Sequence, residues 1–228
     1  DDPECMIERA QYYGAISNQS KAKECYLKAL DMLMDDKTKI IVFESYAQYM
    51  AMTVNARETG AEFQEKAALL RKNVNGKDGD YADAMYKAGL YYSSAMTKEN
   101  WKKGIVCYDN ALLVYQKSGD GKRVAKCQQA IGNAHSGLRE YAKAKECFKE
   151  ALAYYEANDK ESKEYPKMIE RLASDEKFNG EYDASIDHYQ QALQIYEQRG
   201  MMQEYADAQN GLEMCYAYAM RNMDDATN

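Results

Sequence analysis

The sequence predicts an all-α protein, a right-handed α-α superhelix of about five antiparallel helix pairs followed by one C-terminal capping helix. The decapeptide from Lys21 to Leu30 recurs almost unchanged from Lys143 to Leu152. Weaker copies recur at a period of about 40 residues, since Ala111-Leu112 lies one such period before Ala151-Leu152. The chain of 228 residues contains only two prolines, which favours long uninterrupted helices.

Each repeat is predicted to be a helix pair, because its apolar and small residues follow helical spacing. In the best-defined copy Tyr141, Ala144, Phe148 and Ala151 fall on one face of a helix. The short segment 137–140 joins this helix to the amphipathic stretch before it and is long enough only for a tight turn.

The same template predicts one continuous array over residues 1–223. The helix pairs span about 3–36, 38–74, 80–118, 122–158 and 161–199, and the final helix spans about 202–222. Asp2-Pro3-Glu4 predicts the first helix start, because Asp is a favoured N-cap and Pro and Glu suit the first turn. The final helix is either a cap or half of a truncated repeat, and 224–228 is expected to be a disordered tail.

Composition and charge exclude several classes of function. The formal net charge is −7, without the basic stripe that nucleic-acid binding requires, and no apolar run has membrane-spanning length. The six cysteines include no Cys-x-x-Cys pair, and the two histidines stand alone, so neither a metal nor a cofactor is expected. Free thiols favour a reducing, cytoplasmic location. Motifs for phosphate binding, a nucleophile elbow or a zinc protease are absent, so we expect no enzyme.

The fourth helix pair resembles the tetratricopeptide repeat (TPR). It has the small pair Ile131-Gly132 on the first helix, and then Ala144, Phe148 and Ala151 on the second. The third and fifth pairs match well and the second is degenerate. The chain departs from the common motif because no proline closes a repeat and the period is near 40 rather than 34. The longer period resembles that of motor light chains, cortical polarity scaffolds and bacterial peptide-sensing regulators.

The resemblance implies a concave groove lined by the first helix of each pair, and a partner protein or peptide bound there. We expect the following groove residues: Asp83, Tyr86, Leu90, Lys126, Gln129, Asn133, Lys167, Glu170, Arg171 and Lys177. An amide such as that of Asn133 can hold the backbone of an extended peptide. The alternative for every one of these residues is an ordinary solvated helix face.

Three functions stay open at this point. The first is a scaffold that binds a partner protein or peptide in the groove, with no nucleic acid and no membrane insertion. The second is a peptide- or small-molecule-sensing module of a larger multidomain protein, and the third is a bare spacer. A carboxylate clamp like that of chaperone-binding relatives is disfavoured, because Tyr86 and Leu90 stand where Lys and Asn would be needed. The partner and the oligomeric state are left open.

Overall fold

The computed structural model describes residues 2–32 and 34–227, without the side chains of Val54 and of residues 222–227. The described residues form eleven α-helices and one short 3₁₀ turn, Val54–Ala56, and the all-α class with paired helices is confirmed. The helices are α1 Pro3–Ala15, α2 Gln19–Leu30, α3 Asp36–Ala51, α4 Arg57–Asn75, α5 Gly79–Ser94, α6 Lys98–Ser118, α7 Gly121–Gly137, α8 Tyr141–Asn158, α9 Glu164–Phe178, α10 Tyr182–Gln198 and α11 Met202–Thr227.

The chain divides into two compact units, Asp1–Gly119 and Asp120–Asn228, which we call unit 1 and unit 2. Unit 1 contains α1–α6 and unit 2 contains α7–α11. A single array over 1–223 therefore stays a prediction. Helix α11 runs to Thr227, past the expected end at 222 and through most of the expected tail, while Asn228 lies outside the described residues.

Polar caps begin most of the helices. Asp2, Asn18, Asp35, Asp78, Thr97 and Asp120 each accept a hydrogen bond from a backbone amide three residues later. These bonds satisfy amide groups that the first turn of a helix leaves without a partner. Asp2 and Pro3 thus begin α1 as the sequence predicted.

The core of unit 1 is built from aromatic rings against small residues. Tyr26, Tyr46 and Tyr49 form a cluster on α2 and α3, with the rings of Tyr26 and Tyr49 5.1 Å apart. On α5 a Cβ added at Gly89 would lie 2.5 Å from the ring of Tyr108 on α6. Only glycine allows this approach, which explains the small residue in the middle of the first helix of the pair.

Unit 2 repeats this packing with a different ring. A Cβ at Gly132 on α7 would lie 2.7 Å from the ring of Phe148 on α8, and Phe148, Ala144 and Ala151 are buried. The core continues through Met168 and Ile169 of α9 to Tyr189 of α10. Burying a ring such as Phe148 stabilises the fold by about 1.5–3 kcal/mol. The recurring small residues therefore mark close helix contacts, as the sequence predicted.

Candidate binding site

A polar pocket of unit 2 lies where α7, α9 and α11 present side chains to one another. It has a volume of about 210 Å³. Its lining residues are Gln129, Asn133, Lys167, Met168, Glu170, Arg171, Glu204 and Asp207. Helical spacing explains the set, because residues three or four positions apart on a helix share a face. Five of the ten residues predicted for the groove meet here: Gln129, Asn133, Lys167, Glu170 and Arg171.

Neighbouring side chains fix three of these five groups. Gln129 Nε2 donates a hydrogen bond of 3.0 Å to Glu164 Oε2. The hydroxyl of Tyr196 donates a bond of 2.7 Å to Glu170 Oε2, and Lys167 Nζ lies 3.8 Å from Glu204 Oε1. Glu170 is thereby held against the core ring of Tyr196, and its position is set before any ligand arrives.

Asn133 and Arg171 also line the pocket, and both side chains are exposed. Within the described part of the chain, no side-chain hydrogen bond engages either group, although Arg171 attracts the nearby Asp175 electrostatically. A carboxamide both donates and accepts, as a peptide backbone requires, and a guanidinium pairs with a carboxylate through two parallel bonds. The pocket therefore offers chemistry suited to a peptide.

A run of buried charges lies beside this pocket on α9. Asp175, Glu176 and Lys177 are consecutive and all buried. Burial raises the pKa of Asp175 to about 6, against the opposing effects of the Ser136 hydroxyl, which donates a 2.7 Å bond to Oδ2, and of Arg171. Glu176 Oε2 lies 2.7 Å from His188 Nδ1, and this bond raises the pKa of His188.

The prediction for Lys177 needs correction. Its side chain is only 6% exposed, and Nζ lies 3.4 Å from the Tyr189 hydroxyl and 4.8 Å from the ring centroid of Phe178. Lys177 follows Ala173 by one helical turn, so it faces α10 rather than a groove. Burial lowers the pKa of its ammonium group.

The other predicted residues lie apart from this pocket. Lys126 is exposed on α7, one turn before Gln129. In unit 1, Asp83 accepts a hydrogen bond from the Tyr115 hydroxyl, and the ring of Tyr86 packs 5.5 Å from that of Tyr108. Leu90, on the same helix, is 43% exposed. A single groove joining all ten residues stays a prediction.

Sequence reasoning missed a larger cavity in unit 1. It has a volume of about 470 Å³ and lies among α1, α2 and α3. Uncharged side chains line it throughout, namely Ala10, Gln11, Gly14, Ala15, Gln19, Tyr26, Ser45, Gln48, Tyr49, Met52 and Thr53. The Tyr49 hydroxyl donates a 2.9 Å hydrogen bond to the Gln19 carbonyl at its edge. The repeat pattern includes Tyr26, which lies in the repeated decapeptide, but it predicts only that such residues pack and does not predict a gap beside them.

The described residues contain neither a metal-binding cluster nor a membrane-spanning helix. No group of three or more His, Cys, Asp or Glu side chains is placed to hold a metal ion. No described helix is both long and apolar enough to cross a bilayer. All six cysteines are free thiols.

Part of the chain resembles a known repeat family. Residues 93–157 match the tetratricopeptide repeat model, from the end of α5 through most of α8. The matched segment includes the motif around Gly132 and Phe148 that resembles this repeat, and the helical pairing along the rest of the described chain is TPR-like. This family is generally a non-catalytic scaffold. The period of about 40 residues stays a prediction.

Solved structures with the same fold extend the likeness along the chain. BtubC from P. vanneervenii is 17% identical with a TM-score of 0.65, over 86% of this chain and 79% of its own. A putative kinesin light chain of Podosopora anserina with TPR-like repeats is 12% identical with a TM-score of 0.68, over 84% and 92%. A Rap protein complexed with competence and sporulation factor is 14% identical with a TM-score of 0.58, over 93% and 62%. No curated protein matches the chain in sequence.

Proposed function

We propose that this chain is a protein–protein or protein–peptide interaction scaffold, and that unit 2 holds an extended segment of the partner at the pocket of α7, α9 and α11. One observation carries the proposal. The pocket gathers five residues that the sequence had singled out, and it leaves the amide of Asn133 and the guanidinium of Arg171 exposed beside groups that are already fixed.

The charges of the pocket favour a segment that is polar rather than strongly acidic. Lys167 and Arg171 face Glu170, Glu204 and Asp207, so the lining is mixed with a small acidic excess. Arg171 suits a single carboxylate of the partner, and Asn133 suits a backbone amide. A Rap protein of the same fold occurs in complex with competence and sporulation factor, which supports a binding role for this architecture.

A peptide-display selection tests the proposal directly. Peptides are selected on the wild-type protein and then measured for affinity on a double variant, Asn133→Ala with Arg171→Ala. We expect the selected peptides to bind the double variant at least tenfold more weakly, because truncating two central polar contacts should together cost about 1.4 kcal/mol or more. The matched control is Asn210→Ala with Arg221→Ala, two exposed residues outside the pocket lining. Equal losses in both double variants would sink the proposal.

The uncharged cavity of unit 1 favours a second candidate, the sensing of a small molecule or short peptide. Its volume of about 470 Å³ falls within the range of ligand pockets. Gly14→Phe should fill it without a clash, because, apart from the chain neighbours and the backbone of α1 itself, no described atom lies within 4 Å of a Cβ at Gly14. A ligand found by thermal-shift screening should raise the Tm of wild type and of the control Gly79→Phe, but not that of Gly14→Phe. A ligand that stabilises Gly14→Phe equally would exclude this cavity as its site.

A further inference from the structure

A buried acceptor without a donor lies in unit 1. Gln64, on α4, is only 1% exposed, and among the described residues nothing donates a hydrogen bond to its Oε1. Buried carbonyl oxygens nearly always receive a bond, since leaving one without a partner costs stability. The described residues therefore supply no donor for Gln64 Oε1, which leaves that acceptor to a water or a bound ligand.

Gln64 lines a small pocket between α3, α4 and α5. The pocket has a volume of about 170 Å³. Its lining residues are Glu44, Gln64, Arg71, Asp80, Asp83, Ala84 and Lys87. Gln64 and Arg71 are two turns apart on one face of α4, and the α5 residues are three or four positions apart, so the helix geometry itself builds the site.

Existing contacts neutralise only part of the charge around this pocket. Arg71 donates two 3.0 Å hydrogen bonds to the carboxylate of Glu44, and these two charges cancel. Asp80 lies 3.7 Å from Arg71 at a side-chain exposure of 68%, so that contact is weak. Lys87 sits over the ring of Tyr91, with Nζ 5.7 Å from its centroid. The lining thus holds three carboxylates against two cations.

We propose that this pocket receives a primary ammonium group, namely a lysine side chain of the bound partner. The proposal rests on the binding role argued above, because it takes the lysine to belong to that partner. An ammonium is a compact charge with three donors, which suits the amide oxygen of Gln64 and the carboxylate of Asp80 together. The volume exceeds the roughly 30 Å³ of one water molecule but falls below the roughly 300 Å³ at which pockets for larger ligands begin.

The net charge of the protein supports a basic partner at this position. The whole chain carries a formal charge of −7, so cationic segments are attracted from a distance. A carboxylate or a fully ionised phosphate would add to the acidic excess of the lining and would bring no donor to Gln64. A neutral side chain would leave the excess carboxylate uncompensated.

A titration with a model compound tests the pocket without any partner. The probe is N-acetyl-lysine N-methylamide, and the readout is the side-chain amide signal of Gln64 in ¹H–¹⁵N spectra. We expect a saturable shift of that signal, and none with the Nε-acetylated form of the same compound, which lacks the charge. A signal that does not move, or that moves equally with both compounds, would show that water alone satisfies Gln64 and would overturn the proposal.

Two matched aspartates provide the variant test. Asp80 and Asp36 both lie in the first turn of a helix, and each is 3.7 Å from a cation of its own unit. Asp80→Asn should lower the affinity for the lysine probe about two- to fivefold, as expected for one partly exposed charge pair. Asp36→Asn should leave that affinity unchanged. Equal effects of the two variants would overturn the assignment to this pocket.

The two proposals fail separately. If peptides selected at Asn133 and Arg171 bind as expected but the lysine probe does not shift Gln64, the ammonium site is wrong and the scaffold role stands. If the probe binds but the Asn133 and Arg171 variants lose nothing, the pocket of unit 2 is wrong while the ammonium site stands as a binding pocket of unit 1.

Discussion

Unit 1 and unit 2 bury aromatic rings against glycine in the same way, yet they bury different polar groups. Among the described residues of unit 1, the buried polar side chains are the neutral amides of Gln64 and Asn100. In unit 2 they include Asp175, Glu176 and Lys177, which are charged or titratable. The shared packing should therefore give similar stability losses when rings are removed, while the different polar groups should give different responses to pH.

Ring removal gives the largest expected effect. Phe148→Ala should destabilise unit 2 by about 3–5 kcal/mol, and Tyr108→Ala should destabilise unit 1 by a similar amount, because each leaves a cavity against a glycine. Amide hydrogen exchange measured separately on α6 and α8 checks both. A cost below about 1 kcal/mol for either ring would mean that the close approach at Gly89 or Gly132 does not hold that unit together.

The sequence predicted this shared packing because small and aromatic residues recur with helical spacing. Gly132, Phe148 and Ala151 carry a pattern of size, and size decides how closely helices approach. The buried charges were not predicted, because Lys177 was assigned to the groove and no position was predicted for Asp175 or Glu176. Helical phase alone would have found Glu176, which lies one turn after Leu172 on the apolar face of α9.

The residues of the candidate sites were predictable only in part. Periodicity defines the exposed face of the first helix in each pair, and that face includes Gln129, Asn133 and Arg171. The orphan oxygen of Gln64 and the cavity beside Gly14 depend on gaps between helices. Such gaps arise from packing between segments distant in sequence, and no local pattern encodes them.

The next largest difference between the two units should be in how their stability depends on pH. Burial raises the pKa of Asp175 from 3.8 to about 6. Between these two pH values the carboxyl is therefore protonated in the native state and ionised in the unfolded state. The stabilising contribution is complete below about pH 4 and is lost as the pH rises through 6, a loss of about 2–3 kcal/mol. Asp175→Asn should recover that amount in unit 2 at pH 7 and change little at pH 4, as urea unfolding at the two pH values would show.

His188 acts in the same direction as Asp175. Its raised pKa, caused first by the bond to Glu176, gives stability that is present below 6.5 and lost as the pH rises through the folded value. In unit 1 the hydrogen bond from Lys103 lowers the carboxyl pKa of Glu58. The contribution of Glu58 to stability is therefore lost only as the pH falls. Equal changes of both units between pH 4 and 7 would contradict this division.

Lys177 offers a smaller effect that tests the cost of a buried charge. Lys177→Met keeps an unbranched side chain, one atom shorter and without the ammonium. It should stabilise unit 2 by about 1–2 kcal/mol at pH 7, because the ammonium is desolvated without a carboxylate bond. The native pKa is lowered, so the gain should shrink as the pH rises toward 10.5. Lys149→Met, at an exposed lysine of α8, is the control and should change stability by less than about 0.5 kcal/mol. A destabilised Lys177→Met would show that the contacts with Tyr189 and Phe178 outweigh desolvation.

Loss of a helix cap should give the smallest difference in stability between the two units, because both use an Asp side chain as an N-cap. Asp78 accepts a 2.9 Å bond from the Tyr81 amide at the start of α5, and Asp120 accepts a 3.0 Å bond from the Arg123 amide at the start of α7. Asp78→Ala and Asp120→Ala should each cost about 1 kcal/mol, while the Asn variants keep the acceptor and lose only a few tenths. Thermal unfolding of the four variants measures this. If Asp120→Ala cost several kcal/mol more than Asp78→Ala, the carboxylate would hold more than one turn of α7, and the start of unit 2 would differ in kind from the start of α5.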